Sequence, residues 1–214
     1  TQKKTSNSSP PTPQRTKQRK MGNVTTTQVL FLGLDNSGKT TIINVCSNDF
    51  KPPADLDQIK PTTGHSVTHF NSKENKKLQF GAWDLPGREQ FRSLWKNYYK
   101  HAGAIVFVVD SAEDEERMDD CKEVLNSVLQ DLELREVPLL ICANKQDLPN
   151  AKGANVITEQ LGLNNANTAG LNKRSYRIIA TCAKTGDGLK FGFDWLANEI
   201  ALREKKKKAA QKNK

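Results

Sequence analysis

The chain has 214 residues, enough for one α/β domain of about 170 residues with a tail at each end. The formal net charge of +9 comes entirely from the two ends: residues 1–20 carry six basic and no acidic side chains, residues 203–214 carry seven and one, and the residues between them carry 20 and 23. The positive charge is therefore no sign of a nucleic-acid-binding domain, and we expect no specific nucleic-acid partner. No apolar run approaches the ~20 residues that a transmembrane helix needs.

Composition also divides the chain. We predict a disordered basic tail at 1–27, a folded domain at 28–202 and a disordered polybasic tail at 203–214, because the ends lack the apolar residues that build a core. An alternative role for the tails is attraction to an anionic membrane, at about 1 kcal/mol per basic residue near the surface. The four cysteines show no CxxC spacing, which is typical of reduced thiols in a cytoplasmic protein.

Short apolar runs alternate with helical patterns along the domain. Strands are predicted, in chain order, at Val29–Leu34, His65–Phe70, Leu78–Trp83, Ala104–Val109, Leu139–Ala143 and Tyr176–Ala180. Helices are predicted from Lys39 onwards and at Arg88–Lys100, Glu115–Leu134, Val156–Leu161 and Leu189–Leu202. The second and third strands can pair as a hairpin, and the alternation as a whole indicates an α/β fold whose largely parallel sheet is covered on both faces. In such sheets ligands bind beyond the carboxyl ends of the strands.

A phosphate-binding loop follows the first strand. The segment Gly33-Leu-Asp-Asn-Ser-Gly-Lys-Thr40 matches the pattern GxxxxGK[ST], and it lies between a strand and a helix as the mechanism of that motif requires. Its glycines permit a backbone that aims several N–H groups at one anion, and the helix adds its positive dipole end. Lys39 is predicted to reach the β- and γ-phosphates, and the Thr40 hydroxyl to bind Mg²⁺. The nucleotide-binding residues predicted in this loop are Asp35, Asn36, Ser37, Gly38, Lys39, Thr40 and Thr41.

A magnesium–phosphate site also needs an acid from a neighbouring strand. Asp84 follows the third strand and opens the DxxG pattern Asp84-Leu-Pro-Gly87, so we predict that it holds Mg²⁺ through water while the Gly87 N–H senses the γ-phosphate. Thr62, in the loop before the hairpin, is the candidate for a second hydroxyl ligand. The metal candidates are Thr40, Thr62 and Asp84, and the catalytic candidates are Lys39, Thr62, Gly87 and Arg88.

A guanine-reading motif, Asn144-Lys-Gln-Asp147, follows the fifth strand. A carboxylate at Asp147 can accept hydrogen bonds from both N1–H and the exocyclic amino group of guanine, a donor pair that adenine lacks on that edge. Lys145 supplies an aliphatic stem to pack on the base, and Asn144 can tie this loop to the phosphate loop. After the last strand, the Ala183 N–H is predicted to reach guanine O6. The residues predicted to bind at the base are Asn144, Lys145, Asp147, Cys182 and Ala183.

Together these motifs resemble the small GTPases of the Ras superfamily, most closely the ADP-ribosylation factor (Arf) and Arf-like branch. The residues that carry the resemblance are Gly33–Thr41, Pro61–Gly64, Trp83-Asp84, Leu94-Trp95, Tyr98-Tyr99, Val108–Ser111, Ala143–Asp147, Ala180–Ala183 and Gly186–Leu189. The likeness runs from about residue 28 to 202. It implies a P-loop NTPase fold with a mostly parallel six-stranded sheet and helices on both faces. It also implies a monomeric switch that binds GTP or GDP with Mg²⁺.

The resemblance further implies protein partners. Two switch segments, at about 57–66 and 84–100, would be read by effectors, an exchange factor and a GTPase-activating protein. The positions that match the family's effector-facing hydrophobic patch are His65, Trp83 and Tyr98. The expected setting is membrane traffic or ciliary and cytoskeletal transport, in the cytoplasm or peripherally on an intracellular membrane.

The largest departure from the family is Arg88, which stands where the family has a glutamine that orients the attacking water. An arginine side chain cannot accept a proton or a hydrogen bond, so it cannot do that job. It could place positive charge near the γ-phosphate if it folded inward, but a solvated side chain is the commoner outcome. We therefore expect either a weak GTPase or a GTP-binding interaction module with little or no hydrolysis.

Three smaller departures concern the surface. His65 replaces a phenylalanine of the family patch and makes it more polar. Residues 21–26 fit the N-myristoylation pattern, but Gly22 is internal and too few residues separate it from the first strand for an apolar helix, so we expect no acylated membrane-sensing helix. The Asn-rich loop Asn164–Arg174 is predicted to be a surface insertion.

A phosphate-loop kinase or ATPase that acts on a small molecule is the alternative from another functional class. The guanine motif at 144–147 argues against that alternative, as does the lack of a candidate lid for an acceptor substrate. A nucleic-acid-binding role depends only on the basic tails and ranks last.

Overall fold

One six-stranded sheet forms the centre of the described structure. The computed structural model describes residues 24–52, 55, 59, 62–164, 170–171 and 174–212. Its strands are β1 (Thr25–Leu32), β2 (Ser66–Asn71), β3 (Leu78–Asp84), β4 (Ala104–Asp110), β5 (Leu139–Asn144) and β6 (Tyr176–Ala180). They lie in the order β2-β3-β1-β4-β5-β6, and every neighbouring pair is parallel except β2 and β3, which form the predicted hairpin. The predicted α/β fold with a mostly parallel sheet is confirmed.

Helices connect these strands. They are α1 (Lys39–Ser47), α2 (Glu89–Arg92), α3 (Lys96–Tyr99), α4 (Glu115–Gln130), α5 (Ala154–Gln160) and α6 (Leu189–Lys212), with 3-10 turns at Ser93–Trp95 and Leu132–Leu134. Helix α4 begins where the Asp114 carboxylate accepts a hydrogen bond from the Arg117 N–H at 2.9 Å, and it ends at Gln130 because Asp131 takes an extended backbone with ψ 127°. Within the described ranges, none of the helices is both long enough and apolar enough to cross a bilayer.

Several boundaries differ from those predicted. The helix predicted at Arg88–Lys100 is divided into α2, a 3-10 turn and α3, and β1 begins at Thr25, before the predicted domain start. Helix α6 does not end at Leu202 but runs to Lys212, so the prediction of a disordered tail is wrong for residues 203–212. These ten residues are Arg, Glu, Lys, Ala and Gln, all strong helix formers, and a helix that is already nucleated propagates through such a run.

Three sequence predictions lie outside the described residues. They concern the basic tail at 1–20, the myristoylation pattern around Gly22 and most of the loop Asn164–Arg174. They stay predictions.

The two faces of the sheet pack against different helices. On one face, Val29 and Phe31 of β1 share a core with α1 and α6, and on the other, Leu30 and Leu32 share a core with α4 and α5. Side chains alternate between the faces of a strand, so a strand covered on both sides is apolar at nearly every position. All seven residues of β4 are buried in this way. The parallel strands therefore deliver the loops that follow β1, β3, β5 and β6 to one edge of the sheet, where the predicted motifs lie.

We expect the Phe193→Ala substitution to lower the free energy of unfolding by about 3–5 kcal/mol, because it would leave a cavity in the core. The side chain is 1 % exposed, and its ring packs on four other rings at centroid distances of 5.6–6.1 Å, those of Phe31, Phe50, Phe70 and Phe80. Urea denaturation in excess GDP and Mg²⁺ measures the change.

Phe191 provides the matched control, because it lies on the same helix but is 62 % exposed. Phe191→Ala should cost less than about 1 kcal/mol. Equal destabilisation by the two substitutions would contradict the packing described for α6.

Candidate nucleotide and magnesium site

Two glycines with positive φ hold the phosphate loop against its neighbours. Gly33 (φ 133°) lies so close to β4 that a Cβ there would be 2.2 Å from the Val108 carbonyl oxygen. At Gly38 (φ 97°) an added Cβ would be 2.3 Å from Asn144 Nδ2. A larger residue at either position would push the loop away from the sheet, so this loop requires glycine at both places.

Lys39 lies beneath the loop. The residue is only 6 % exposed, and its Nζ donates to the carbonyl oxygens of Leu34 at 2.6 Å and Gly33 at 3.1 Å. Burial lowers the pKa of Lys39 to about 8, although the nearby Asp84 and Asp35 carboxylates oppose that change. A phosphate group beside the ammonium would favour its charged form.

Three oxygen-bearing side chains meet beside the loop. The Asp84 Oδ2 atom accepts hydrogen bonds from the Thr40 hydroxyl at 2.6 Å and the Thr62 hydroxyl at 3.0 Å, and the two hydroxyl oxygens are 2.9 Å apart. Asp84 is 3 % exposed, and its Oδ1 atom is buried with no hydrogen-bond partner among the described residues. The structure thus brings the three predicted metal residues together and leaves one carboxylate oxygen unpaired, which is costly unless a cation or water uses it.

The chemistry of this oxygen set fits Mg²⁺. Magnesium prefers oxygen ligands and is usually bound by one or two carboxylates together with substrate phosphates and water. In the part of the chain that the structure describes, no group of three or more His, Cys, Asp or Glu side chains is arranged to hold a metal ion. A magnesium ion beside Thr40, Thr62 and Asp84 would therefore depend on phosphate oxygens to complete its ligands.

The DxxG segment lies directly against the phosphate loop. A Cβ on Gly87 would be 2.4 Å from the Asp35 backbone nitrogen. Arg92 Nε donates to the Gly87 carbonyl oxygen at 2.8 Å, and the Trp95 indole N–H donates to the Pro86 carbonyl oxygen at 2.9 Å. Sequence reasoning missed this role of Arg92 and Trp95, because a side chain that bonds a backbone carbonyl leaves no motif of its own.

Asn144 joins the guanine motif to the phosphate loop, as predicted. It is 1 % exposed, and its Nδ2 donates to the Ser37 carbonyl oxygen at 2.9 Å. Its Oδ1 accepts from the Ala183 N–H at 3.0 Å and from the Thr181 hydroxyl at 3.4 Å. The Ala183 N–H, which we predicted to face guanine O6, is therefore already engaged and could reach a base only by sharing or exchanging this bond.

Two other residues predicted at the base, Lys145 and Asp147, contact side chains of opposite charge. Lys145, with a positive φ of 65°, places its Nζ 2.6 Å from Asp110 Oδ2. Asp147 accepts a hydrogen bond from the Cys182 thiol at 3.3 Å and lies 3.7 Å from Lys184 Nζ. Sequence reasoning did not select Asp110 and Lys184 as site residues, since only the fold brings them beside the motif.

Asp35 is engaged by helix α4. Arg117 Nη1 is 3.4 Å from Asp35 Oδ1, and Arg117 Nη2 donates to the Asp35 carbonyl oxygen at 3.2 Å. Glu113 holds the same guanidinium at 3.4 Å. Because its side chain turns to α4, a nucleotide contact of Asp35 would fall to its backbone N–H.

A cleft of about 470 Å³ opens between these segments, and among the described residues that line it all except Ile59 are predicted site residues. Ser37 is an exception among the loop residues: it is 1 % exposed, and its hydroxyl donates inward to the Leu34 carbonyl oxygen at 2.9 Å. The backbone of Ser37, and not its hydroxyl, is therefore placed to meet a nucleotide.

Residues 15–200 match the sequence profile of the ADP-ribosylation factor family. The chain belongs to this family. Among solved structures, it is 35 % identical to the Arl6 BBS3 small GTPase from Trypanosoma brucei, which was solved with the bound nucleotide analogue GppNp. That match covers 83 % of this chain and 98 % of that chain, with a TM-score of 0.69. Arf-family proteins bind guanine nucleotides, so this chain is an Arf-like GTP-binding protein of the P-loop class.

In this Arf-family chain the predicted patch residues form one aromatic cluster. Ring centroids are 5.9 Å apart for His65 and Trp83, 5.7 Å for His65 and Tyr98, and 5.2 Å for Trp83 and Tyr98. His65 is exposed and stacks on Trp83 at an interplanar angle of 18°. The histidine thus keeps ring packing at this position and adds two polar ring nitrogens to the surface.

Arg88 borders the cleft of this family member without being buried. It precedes α2 with an extended backbone (φ −63°, ψ 140°), and its exposed side chain forms part of the cleft lining. The arginine therefore borders the nucleotide cleft while its side chain is exposed to solvent.

We expect the Asn144→Ala substitution to lower the free energy of unfolding by about 2 kcal/mol or more and to speed GDP release. It leaves the buried Ser37 carbonyl and Ala183 N–H unpaired, and each such group costs about 1–3 kcal/mol. Denaturation and the dissociation of a fluorescent GDP derivative measure the two effects.

Asn150 is the matched control, since its exposed side chain donates one hydrogen bond, to the Ala112 carbonyl oxygen at 2.9 Å. Asn150→Ala should change the free energy of unfolding by less than about 1 kcal/mol and leave GDP release unaltered. Similar GDP release from both variants would show that the Asn144 link does not hold the nucleotide site together.

Proposed function

We propose that the protein is a Mg²⁺-dependent switch that recruits effectors when GTP is bound. The observation that carries this proposal is the meeting of Thr40, Thr62 and Asp84, because these residues come from three separate segments. Thr40 is the last residue of the phosphate loop, Asp84 ends β3, and Thr62 belongs to the first switch segment. A bound γ-phosphate and Mg²⁺ would stabilise the contact among these three residues, and GDP would stabilise it less.

Different groups around the cleft would bind different parts of the phosphate chain. The backbone N–H groups of 35–40 and the N-terminus of α1 would hold the phosphate chain, with the Thr41 backbone at the start of the helix. Lys39 would exchange its carbonyl partners for the β- and γ-phosphates, and the Gly87 N–H would meet the γ-phosphate. Magnesium, when bound, supplies charge that neutralises the phosphates, and Thr40, Thr62 and, through water, Asp84 would hold it.

Guanine recognition would fall to the loops after β5 and β6. The Asp147 carboxylate would accept from N1–H and the exocyclic amino group, releasing its bond to the Cys182 thiol or sharing it. The Lys145 stem would lie along the base, since its ammonium is anchored at Asp110. Asn144 and Ala183 would complete the pocket. Binding of guanine and not adenine nucleotide, measured by competition with labelled GDP, tests this assignment against an ATP-dependent kinase or ATPase.

We expect Thr62→Val to weaken the binding of a non-hydrolysable GTP analogue about 10- to 100-fold in Mg²⁺ while leaving GDP binding nearly unchanged. The substitution removes one oxygen contact to a charged centre, worth about 1.5–3 kcal/mol, and keeps the shape of the side chain. Calorimetric titration of the nucleotide-free protein, with and without Mg²⁺, measures both affinities.

Thr63→Val is the matched control, because Thr63 is its exposed neighbour. The control should bind both nucleotides as the unaltered protein does. A Thr62→Val variant that loses GDP and GTP-analogue affinity equally would argue that Thr62 does not distinguish the two states.

Hydrolysis is the part of the cycle that Arg88 puts in question. The Arg88 side chain lines the cleft but cannot accept a hydrogen bond from the attacking water. The protein is then a weak GTPase, or an interaction module that binds GTP and barely turns it over. Analysis of the nucleotide that co-purifies with the protein separates these candidates, because retained GTP indicates that turnover is disabled.

We expect Arg88→Gln to raise the single-turnover rate of GTP hydrolysis by at least about tenfold, since a glutamine can orient the water. Arg88→Ala is the control that removes the arginine without supplying an acceptor, and it should leave hydrolysis slow. Equal rates for all three proteins would contradict the assignment of position 88, and equal gains for both variants would mean that the arginine itself inhibits.

Partner recognition is proposed at the two switch segments. The cluster of His65, Trp83 and Tyr98 offers stacked rings beside the cleft, which suits effectors that distinguish the nucleotide state. Exchange factors and GTPase-activating proteins would use the same segments in a monomeric protein working in membrane traffic or in ciliary or cytoskeletal transport. The basic residues at 1–20 and 203–214 support peripheral association with anionic intracellular membranes.

A further inference from the structure

Arg174 and Arg203 lie at the end of the sheet opposite to the nucleotide cleft, close enough for the charge of Arg203 to act on Arg174. Arg174 lies just before β6, and Arg203 lies on α6, where its Nη1 donates to the carbonyl oxygen of Gly103 at 3.4 Å. Gly103 precedes β4, so both arginines lie at the amino ends of parallel strands. The nucleotide loops follow the carboxyl ends of the same sheet. A strand of seven residues spans roughly 23 Å, which separates this place from the nucleotide site.

Arg174 is buried and incompletely paired. It is 5 % exposed, and its Nε donates to the Gly170 carbonyl oxygen at 3.2 Å. Gly170 is itself fixed, since a Cβ there would be 2.0 Å from the Leu129 carbonyl oxygen. Arg174 Nη1 and Nη2 and Arg203 Nε are buried with no hydrogen-bond partner among the described residues. Three charged donor atoms are thus withdrawn from water with no acceptor among the described residues, an arrangement that costs free energy unless an acceptor binds.

Glu204 and Glu136, the acidic side chains whose charges act on Arg203, form no ion pair with either arginine in the described part of the chain. None of the ion pairs between described residues involves Arg174 or Arg203. The loop 164–173 contains no Asp or Glu. Burial, and then the positive charge of Arg203, lower the pKa of Arg174 to about 10. Burial also lowers the pKa of Arg203, although Glu204 and Glu136 oppose that change.

We propose that Arg174 and Arg203 form a second anion site that binds a phosphate monoester. Two guanidinium groups carry two positive charges, which a phosphate monoester of charge about −1.5 to −2 neutralises and a single carboxylate does not. The unused N–H groups lie on two different guanidinium planes, which suits the tetrahedral array of phosphate oxygens.

The phosphate can come from a soluble molecule or from a lipid headgroup. Beyond Arg203, α6 continues with the exposed run Lys205–Lys208. Such a run attracts anionic membrane surfaces at about 1 kcal/mol per basic residue. It would bring a headgroup phosphate to the arginines, whereas a soluble phosphate needs only the arginines themselves.

The test uses the full chain loaded with GDP and Mg²⁺ in excess GDP, so that phosphate cannot enter the nucleotide cleft. Inorganic phosphate is titrated by calorimetry, and the protein is mixed with phosphatidylcholine vesicles that contain either a phosphoinositide or phosphatidylserine at equal surface charge. Phosphatidylserine carries no phosphate monoester, so preference for the phosphoinositide reports the site and not the lysine run.

The decisive variants are Arg203→Gln and its control Lys205→Gln, which removes the same charge from an exposed position on the same helix. We expect Arg203→Gln to weaken phosphate binding at least about tenfold, as loss of a charge-assisted contact would, and Lys205→Gln to change it less than about twofold. Arg203→Lys, which keeps the charge, should restore part of the binding. Retention of GDP confirms that each variant is folded.

Loss of both phosphate and phosphoinositide binding in Arg203→Gln alone supports a site for lipid headgroups. Loss of phosphate binding, with equal binding to the two kinds of vesicle, supports a site for a soluble phosphate monoester. The proposal is overturned if neither probe binds, or if Arg203→Gln and Lys205→Gln weaken binding to the same extent, since the latter result would indicate diffuse attraction to the helix.

Discussion

The Asp84 carboxylate, at the end of β3, accepts hydrogen bonds from hydroxyl groups on two segments that are far apart in sequence. Thr40 lies in the first turn of α1, at the end of the phosphate loop, and Thr62 precedes the hairpin. One carboxylate oxygen is engaged, and the other is buried with no partner among the described residues. This contact joins the segment before the hairpin, the phosphate loop and the central sheet. A switch needs such a junction, because a ligand can shift a conformational equilibrium only through contacts that differ between its states.

Close backbone approach makes the junction possible. Gly33, Gly38 and Gly87 each lie where a Cβ would come within 2.4 Å of a neighbouring atom. The backbone of the phosphate loop therefore packs directly on β4, on the Asn144 side chain and on the DxxG segment. Asn144 then fixes the phosphate loop to the guanine loops through one buried amide. The two halves of the candidate nucleotide site are in this way joined through one buried side chain.

These contacts also explain why Arg88 and His65 can differ from the family's residues without disturbing the fold. Both residues are exposed, and the contacts that hold the DxxG segment come from Arg92 and Trp95. A change at position 88 can therefore alter chemistry in the cleft without unfolding its wall. His65 keeps its stacking on Trp83, so the surface changes its polarity more than its shape.

The sequence alone was sufficient for the order of strands and helices, the phosphate loop and the guanine motif, because local periodicity and fixed spacing encode them. Intrinsic helix propensity also favours a helix over 203–212, although a run of lysines is typical of a disordered tail. Other features could be decided only by tertiary structure: the bond of Arg92 to Gly87, the pairing of Lys145 with Asp110, and the engagement of the Ala183 N–H by Asn144. The approach of Arg174 to Arg203 is of the same kind. In each case the partners are separated in sequence, or one of them is a backbone atom. Their proximity therefore depends on how the sheet and helices pack, which motif spacing does not encode.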